Sequence, residues 1–420
     1  MLMVLMRQLV RTDEHQGGFA HVLAFVLVVV VLVVAGGAGY MVIKKSKAGD
    51  GGFHSPASDA AAKLADCDGK EVMPQSPVKV DEIRRIIPLG NLAPPGHVLP
   101  TYHQYYNYLH NEEGPNGYSV KTTLYVPADM TVTQMMKMDN ADLDPSYDAY
   151  RIDFAICKQV TGYFILVQTL SDKLAAAMQP PYDRTQESDT GKNKISHNWY
   201  KDVNVQLKAG EILGWAGGKP GDPDGLDIAL VDTRAPKPTL ANPARWQSSE
   251  TYYVCTLDYF PAALSKQLYA KLGDYYGNGV AAGSNPCGSI YQDVPGTAQG
   301  VWLTEGSEGL WDVRGLAALV HSNFDENRGA FSLGVKAAEI GLSSSYINFF
   351  TPAKSGNVNL DFNLVKSGET IYCYEVSQNS GGKSTILLRL ASDRLTLGPG
   401  TSATCGAGPW TFNKTIEYVR

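Results

Sequence analysis

Two patterns of apolar spacing divide this chain. From Phe19 to Ile43 (FAHVLAFVLVVVVLVVAGGAGYMVI) apolar residues continue without a charge and with no polar stripe at a period of 3.6, which predicts a helix that is apolar on every side. At about 1.5 Å of rise per residue the run reaches roughly 37 Å, enough to cross a ~30 Å hydrocarbon layer with some tilt. A single transmembrane helix is therefore expected over 18–43, behind a polar leader at 1–17. The run is longer than the core of a signal peptide and lacks a crisp small-residue cleavage site, so it reads as a retained anchor. Ser46–Ala62 (SKAGDGGFHSPASDAAA) is rich in Gly, Ala and Ser, and a flexible spacer is expected over 44–78.

Beyond the spacer the period changes to two. YSVKTTLYVP, YRIDFAIC, GYFILVQTL and GLDIALVD are short runs enriched in β-branched and aromatic residues and separated by turn formers, which predicts strands. PKPTLANPAR at 236–245 marks a crossing, and a linker is expected over 236–250. A helix is predicted from Pro261, with Ala262, Leu264, Leu268, Tyr269 and Leu272 on roughly one face and Gly273 as its stop. The pattern then returns to strands in QDVPGTAQGVWL, AALVHSN, TIYCYEV, STILLRL and TFNKTIEYV, as in an antiparallel barrel or sandwich. The expected fold is mainly β: one N-terminal transmembrane helix, a β-sandwich over 79–235, and a second β-rich domain over 251–420 with one short helix.

Composition narrows the function classes. With 420 residues, 44% hydrophobic and 19% charged, the chain has room for two or three globular domains behind the anchor. A net charge of −6 argues against a general nucleic-acid binder, which needs a basic face. Arg7 and Arg11 before the apolar run nearly balance Lys44, Lys45 and Lys47 after it, so orientation rests on the cysteines. All six follow the run, which suits a disulfide-permissive compartment: a single-pass protein of the cell membrane with its C-terminal bulk extracytoplasmic. The expected pairs are Cys255 with Cys287 and Cys373 with Cys405, each closing a loop of about thirty residues, which leaves Cys67 for Cys157.

The order of segments between 79 and 235 carries a family resemblance. A histidine-bearing opening stretch (PPGHVLPTYHQYYNY) is followed by LYVPADMTV, GYFILVQTLS, a turn with Val205, Gly210, Glu211, Ile212 and Gly214, and finally GLDIALVD. That succession resembles the lysostaphin-type zinc peptidases of family M23 and the duplicated-hybrid-motif sandwich they share with sugar-transport and lipoyl-like domains. The resemblance implies a β-sandwich. For hydrolysis it further implies zinc held by a His-x-x-x-Asp pair and the second histidine of a His-x-His, with one position open for water. Here His103 falls on the first ligand, but Asn107 stands in place of the aspartate and Gly225-Leu226-Asp227 in place of His-x-His. Leu166 occupies the position of a middle-strand histidine, and no histidine lies between His110 and His197. The vestigial metal candidates are therefore His103, Asn107 and Asp227, and the resemblance implies the fold without the activity.

Aromatic chemistry gives the remaining candidate site. His97, Tyr102, His103, Tyr105 and Tyr106, with Tyr108 and His110 beside them, suit a surface on which rings stack against sugar rings while hydroxyl and imidazole groups bond their hydroxyls. A Tyr-rich sandwich edge would give the same pattern. Gly381-Gly382-Lys383-Ser384-Thr385 resembles the end of a phosphate-binding loop but lacks its first glycine, where Ser377 stands. His321, in an apolar strand, reads as a satisfied core or edge histidine. The function expected is binding or scaffolding at the cell envelope, with the membrane and peptidoglycan or another envelope glycan or peptide as partners and with no cofactor. The alternative is a zinc-dependent peptidoglycan endopeptidase with an altered metal site.

Overall fold

Alternation along the strands decides the layers of this protein, because successive side chains point to opposite faces and each face must be covered or wet. The computed structural model describes residues 56–112, 117–139, 148–189, 195–275, 277–307, 309–310 and 312–420. Numbered in chain order, a large sheet takes in β1 (Ile83–Ile87), β2 (Gln104–Tyr108), β4 (Met130–Asp139), β5 (Asp148–Ala155), β6 (Val160–Val167), β8 (Arg184–Asp189), β9 (Ile195–Leu207) and β11 (Gly225–Asp232). Their order is β1-β2-β11-β6-β5-β4-β9-β8, every neighbouring pair antiparallel. A ninth strand, β12 (Tyr253–Val254), pairs with β11 at Leu230 and Val231, beyond the stretch that β2 occupies. A smaller sheet, β3 (Thr122–Tyr125), β10 (Ile212–Ala216) and β7 (Thr169–Leu170), packs against one face of the large one.

Between these sheets lies the first core. Tyr106, Ile152, Phe154, Phe164, Leu226 and Ile228 of the large sheet meet Leu124, Leu170, Leu213 and Ala216 of the small one. The core extends beyond the two sheets in both directions along the chain. Met73 and Val78 are fully buried in it, and the Met73 amide donates to the Tyr259 carbonyl at 2.9 Å. The C-terminal half of the expected flexible spacer at 44–78 is thus packed structure, because its Met and Val close one end of the sandwich and Cys67 is bonded to Cys157. Leu257, Phe260 and Leu268 join the same core, carried by the turn at Thr256–Tyr259 and by α3 (Ala262–Tyr269). Two shorter helices precede α3, α1 (Pro56–Ala61) and α2 (Asp172–Ala177).

The remaining strands close a barrel. β13 (Gly300–Thr304), β14 (Leu316–His321), β15 (Gly329–Leu333), β16 (Asn348–Phe350), β17 (Tyr372–Gln378), β18 (Lys383–Ala391), β19 (Arg394–Pro399) and β20 (Ile416–Val419) pair in sequence, and β20 returns to β13. The interior is filled rather than hollow. Phe331 and Phe350 each meet Phe362 and Tyr374 edge to face with centroids 4.8–5.1 Å apart, and Trp302 donates its Nε1–H to the Ala298 carbonyl at 2.9 Å. Arg420 lies over the Trp302 ring at 4.1 Å and donates to the carbonyl of Thr297 at 2.8 Å. One outer face is dry as well: Val301 and Leu303 alternate with Trp302, and Ala318 and Val320 alternate with Leu319, so β13 and β14 are apolar on both sides. Leu92, Val98 and Leu99 of the first unit cover that outer face.

The fold expected from the sequence, a membrane helix leading two β domains, needs one correction. The described chain is mainly β with a closed eight-stranded barrel and few helices, and among the described residues no helix is long and apolar enough to cross a membrane. The run at 18–43 and the leader at 1–17 lie outside the described residues, and the structure gives the expected anchor no support. The three expected disulfides are formed, Cys67–Cys157, Cys255–Cys287 and Cys373–Cys405, with Cα separations of 5.2, 6.1 and 5.8 Å.

Candidate functional site

β2 and β11 lie side by side with Asp227 opposite Tyr105 and Gly225 opposite Asn107. The two-residue period therefore sends His103, Tyr105, Asn107 and Asp227 to one face of the sheet, and Gln104, Tyr106, Leu226 and Ile228 to the sandwich core or its border. Tyr106 bonds Thr256 Oγ1 at 3.1 Å on the core side. Across β6 the same outer face carries Tyr163, and across β5 it carries Arg151 and Asp153, since Asp153 pairs with Tyr163.

These residues form a connected line. Arg151 grips Asp153 through Nε and Nη2 at 2.7–3.1 Å and stacks on the Tyr163 ring at 3.9 Å. The Tyr163 hydroxyl is 3.2 Å from His103 Nδ1, and His103 Nε2 is 3.4 Å from Asp227 Oδ2. Asp227 is 0% exposed, and neither of its carboxylate oxygens makes a hydrogen bond within the chain. Burial lifts its carboxyl well above the usual carboxylate range. The same burial, with His97 and then Arg151 adding to it, holds the His103 imidazole well below its ordinary value.

A layer contributed by the chain itself covers this face. Residues 88–101 and 277–291 run over it, joined where the Leu89 amide donates to the Cys287 carbonyl at 2.9 Å. His97, inside the first of these segments, meets the His103 ring edge to face at 5.8 Å. Tyr102 stacks on Tyr253 at 4.7 Å with the rings 7° from parallel, and Leu89 and Ile290 close the same cluster. Outside this layer comes the barrel, resting on Leu92, Val98 and Leu99.

The residues expected at a sugar-stacking surface, His97, Tyr102, His103, Tyr105 and Tyr106, are thus brought near one another but all lie inside, Tyr102 being the most exposed at 8%. The reason is that two distant segments return over the sheet. Of the vestigial metal candidates, His103 and Asp227 adjoin, while Asn107 lies against Gly225, where a Cβ would come within 3.0 Å of its Nδ2. Leu166, in the place of the family's middle-strand histidine, is buried in an apolar patch with Met136, Tyr163 and Ile165. Arg151, Asp153 and Tyr163 belong to the same polar line and were not singled out from the sequence. The alternation Arg151-Ile152-Asp153 is the signal that places both charges on one face.

No family model, no curated protein and no solved structure matches the chain. The reading of the site therefore rests on its own geometry.

Proposed function

We propose that this chain is a non-catalytic binding or scaffolding protein of an extracytoplasmic, disulfide-permissive space, and that residues 79–235 are an M23-like sandwich without a hydrolytic centre. The observation that supports this most is the covering of the polar face: a peptidase needs its water-activating group at the bottom of an open groove, and here segments 88–101 and 277–291 occupy that space. The pairing of every cysteine supports the compartment. The donor set bears on the alternative of a zinc endopeptidase. His103 and Asp227 are two donors at 3.4 Å, the third position falls to the neutral amide of Asn107, and Leu166 and Gly225 offer nothing. Three good donors and an open fourth position are the minimum for a zinc-activated water, so the residues present do not fit that group.

The partner in this reading is peptidoglycan or another envelope glycan or peptide. Metal analysis of the purified chain, assay of muropeptide release, and co-sedimentation with purified sacculi test it together. Sedimentation with sacculi, zinc well below one equivalent and no released muropeptides are the expected outcome. One equivalent of zinc together with muropeptide release would replace this reading with the peptidase.

A further inference from the structure

The outer face of the small sheet carries a half-exposed indole in a polar cleft. Trp215 sits on the central strand, β10, between Thr123 of β3 and Thr169 of β7. The cleft has a volume of about 410 Å³, and its walls include Lys121, Asp148, Gln168, Thr169 and Asp222 around the indole. That volume lies within the ~300–1,000 Å³ range of small-molecule sites.

One rim of the cleft is built to stay in place. Gly217 and Gly218 turn at φ of 70° and 117°, and a Cβ on Gly217 would come 2.6 Å from the Val120 carbonyl oxygen. Asp222 accepts from Gln168 Nε2 at 2.8 Å and from the Lys219 amide at 3.1 Å, so the carboxylate ties the loop to β6–β7. Three further lining groups stay accessible. Asp148 is exposed with one oxygen on Lys137 at 2.9 Å, Thr169 is exposed, and the Lys121 ammonium stands 5.9 Å from the Trp215 ring centre.

We propose that this cleft binds a short saccharide of one or two rings. A pyranose presents an apolar C–H face that fits a flat, half-exposed indole, while its equatorial hydroxyls meet a carboxylate, an ammonium and a hydroxyl at the rim. Both signs of charge line the cleft, which disfavours a polyanion and suits a neutral polyol. The proposal rests on the reading of the chain as an envelope-binding protein and gives that reading a site other than the covered face of the large sheet.

The full chain is titrated with N,N′-diacetylchitobiose and with cellobiose, observing saturation transfer to the sugar ring protons. Trp215→Ala removes the platform, and Thr169→Arg obstructs the cleft from an exposed position without touching the core. Saturation transfer to either disaccharide in the wild type, with affinity falling at least tenfold in both variants and melting temperatures unchanged within a few degrees, is the expected result. Absence of transfer from both disaccharides, or variants that bind like the parent, overturns the proposal. Free stem peptide competing for the cleft in place of sugar overturns it as well. If the protein sediments with sacculi equally as wild type and as both variants, the cleft is not the envelope site although the binding reading survives; if no form sediments with sacculi while the disaccharides still bind, the envelope reading falls and the cleft stands; if neither sacculi nor disaccharides bind, both fall.

Discussion

His103 Nε2 lies 3.4 Å from Asp227 Oδ2 beneath two layers of protein, and the two groups respond to that burial in opposite senses. The folded pKa of Asp227 is raised, so its contribution to stability is fully present below the unfolded value near 3.8 and is lost as pH rises through the folded value. The folded pKa of His103 is lowered, so its contribution is present above about 6.5 and is lost as pH falls through the folded value. Asp227→Asn should therefore stabilise the chain at pH 8 by roughly 1–3 kcal/mol and by progressively less toward pH 4. Denaturant midpoints measured across that range check this. Parallel curves for the variant and its parent would contradict it.

Tyr102 and Tyr253 stack at 4.7 Å inside the covering layer, so Tyr102 is a structural ring in this protein. Tyr102→Ala is expected to cost about 2–4 kcal/mol, in line with loss of a buried aromatic side chain. The melting temperature should fall by several degrees. A variant that melts with its parent would return the ring to the surface.

The Cys255–Cys287 bond pins the second covering segment to the sheet, since Cys287 also receives the Leu89 amide. Replacing both cysteines by serine should cost about 3–4 kcal/mol in the chain-entropy model. It should also loosen the cover and let His103 titrate closer to its usual value. Imidazole proton shifts followed by NMR read this directly, and an unmoved His103 titration would show that the cover does not depend on the bond.

Gly288 and Gly90 hold the two covering segments together with φ of 78° and 80°. A Cβ on Gly288 would overlap the Leu89 carbonyl oxygen, and one on Gly90 would overlap that of Ser289. Either alanine substitution is expected to cost more than ~2 kcal/mol, combining left-handed strain with a backbone clash. Thermal unfolding of Gly288→Ala and Gly90→Ala beside Gly277→Ala, where a Cβ meets nothing within 4 Å, separates clash from strain.

Much of the fold could be read locally. The strands GYFILVQTL and GLDIALVD, the helix starting after Pro261 and two of the cysteine pairs follow from signals within a few residues or from simple loop lengths, and Cys67–Cys157 is the pair that remains. The candidate surface could not be read in the same way. Tyr102 and Tyr105 look identical in sequence whether they face water or a covering segment, and that segment, at 277–291, arrives from more than 150 residues away. The choice between barrel and sandwich was hidden for the same reason, because it turns on whether Leu303 finds Val419. Nothing local in the sequence marked Asp227 as fully buried with no hydrogen bond to its carboxylate from within the chain.

The pairing of β20 with β13 has a consequence for how the protein is made. Synthesis delivers a chain from its N-terminus, and the strand that seals the barrel is Ile416–Val419. Until those residues emerge, β13 and β19 each present an open edge, and Trp302 and Phe331 share a core that has no wall on one side. The surface that rests on Leu92 and Leu99 is drawn from residues 301–349, so it does not wait for β20. A chain without Ile416–Val419 therefore presents two open strand edges beside an uncovered side of the core, rather than a slightly smaller protein.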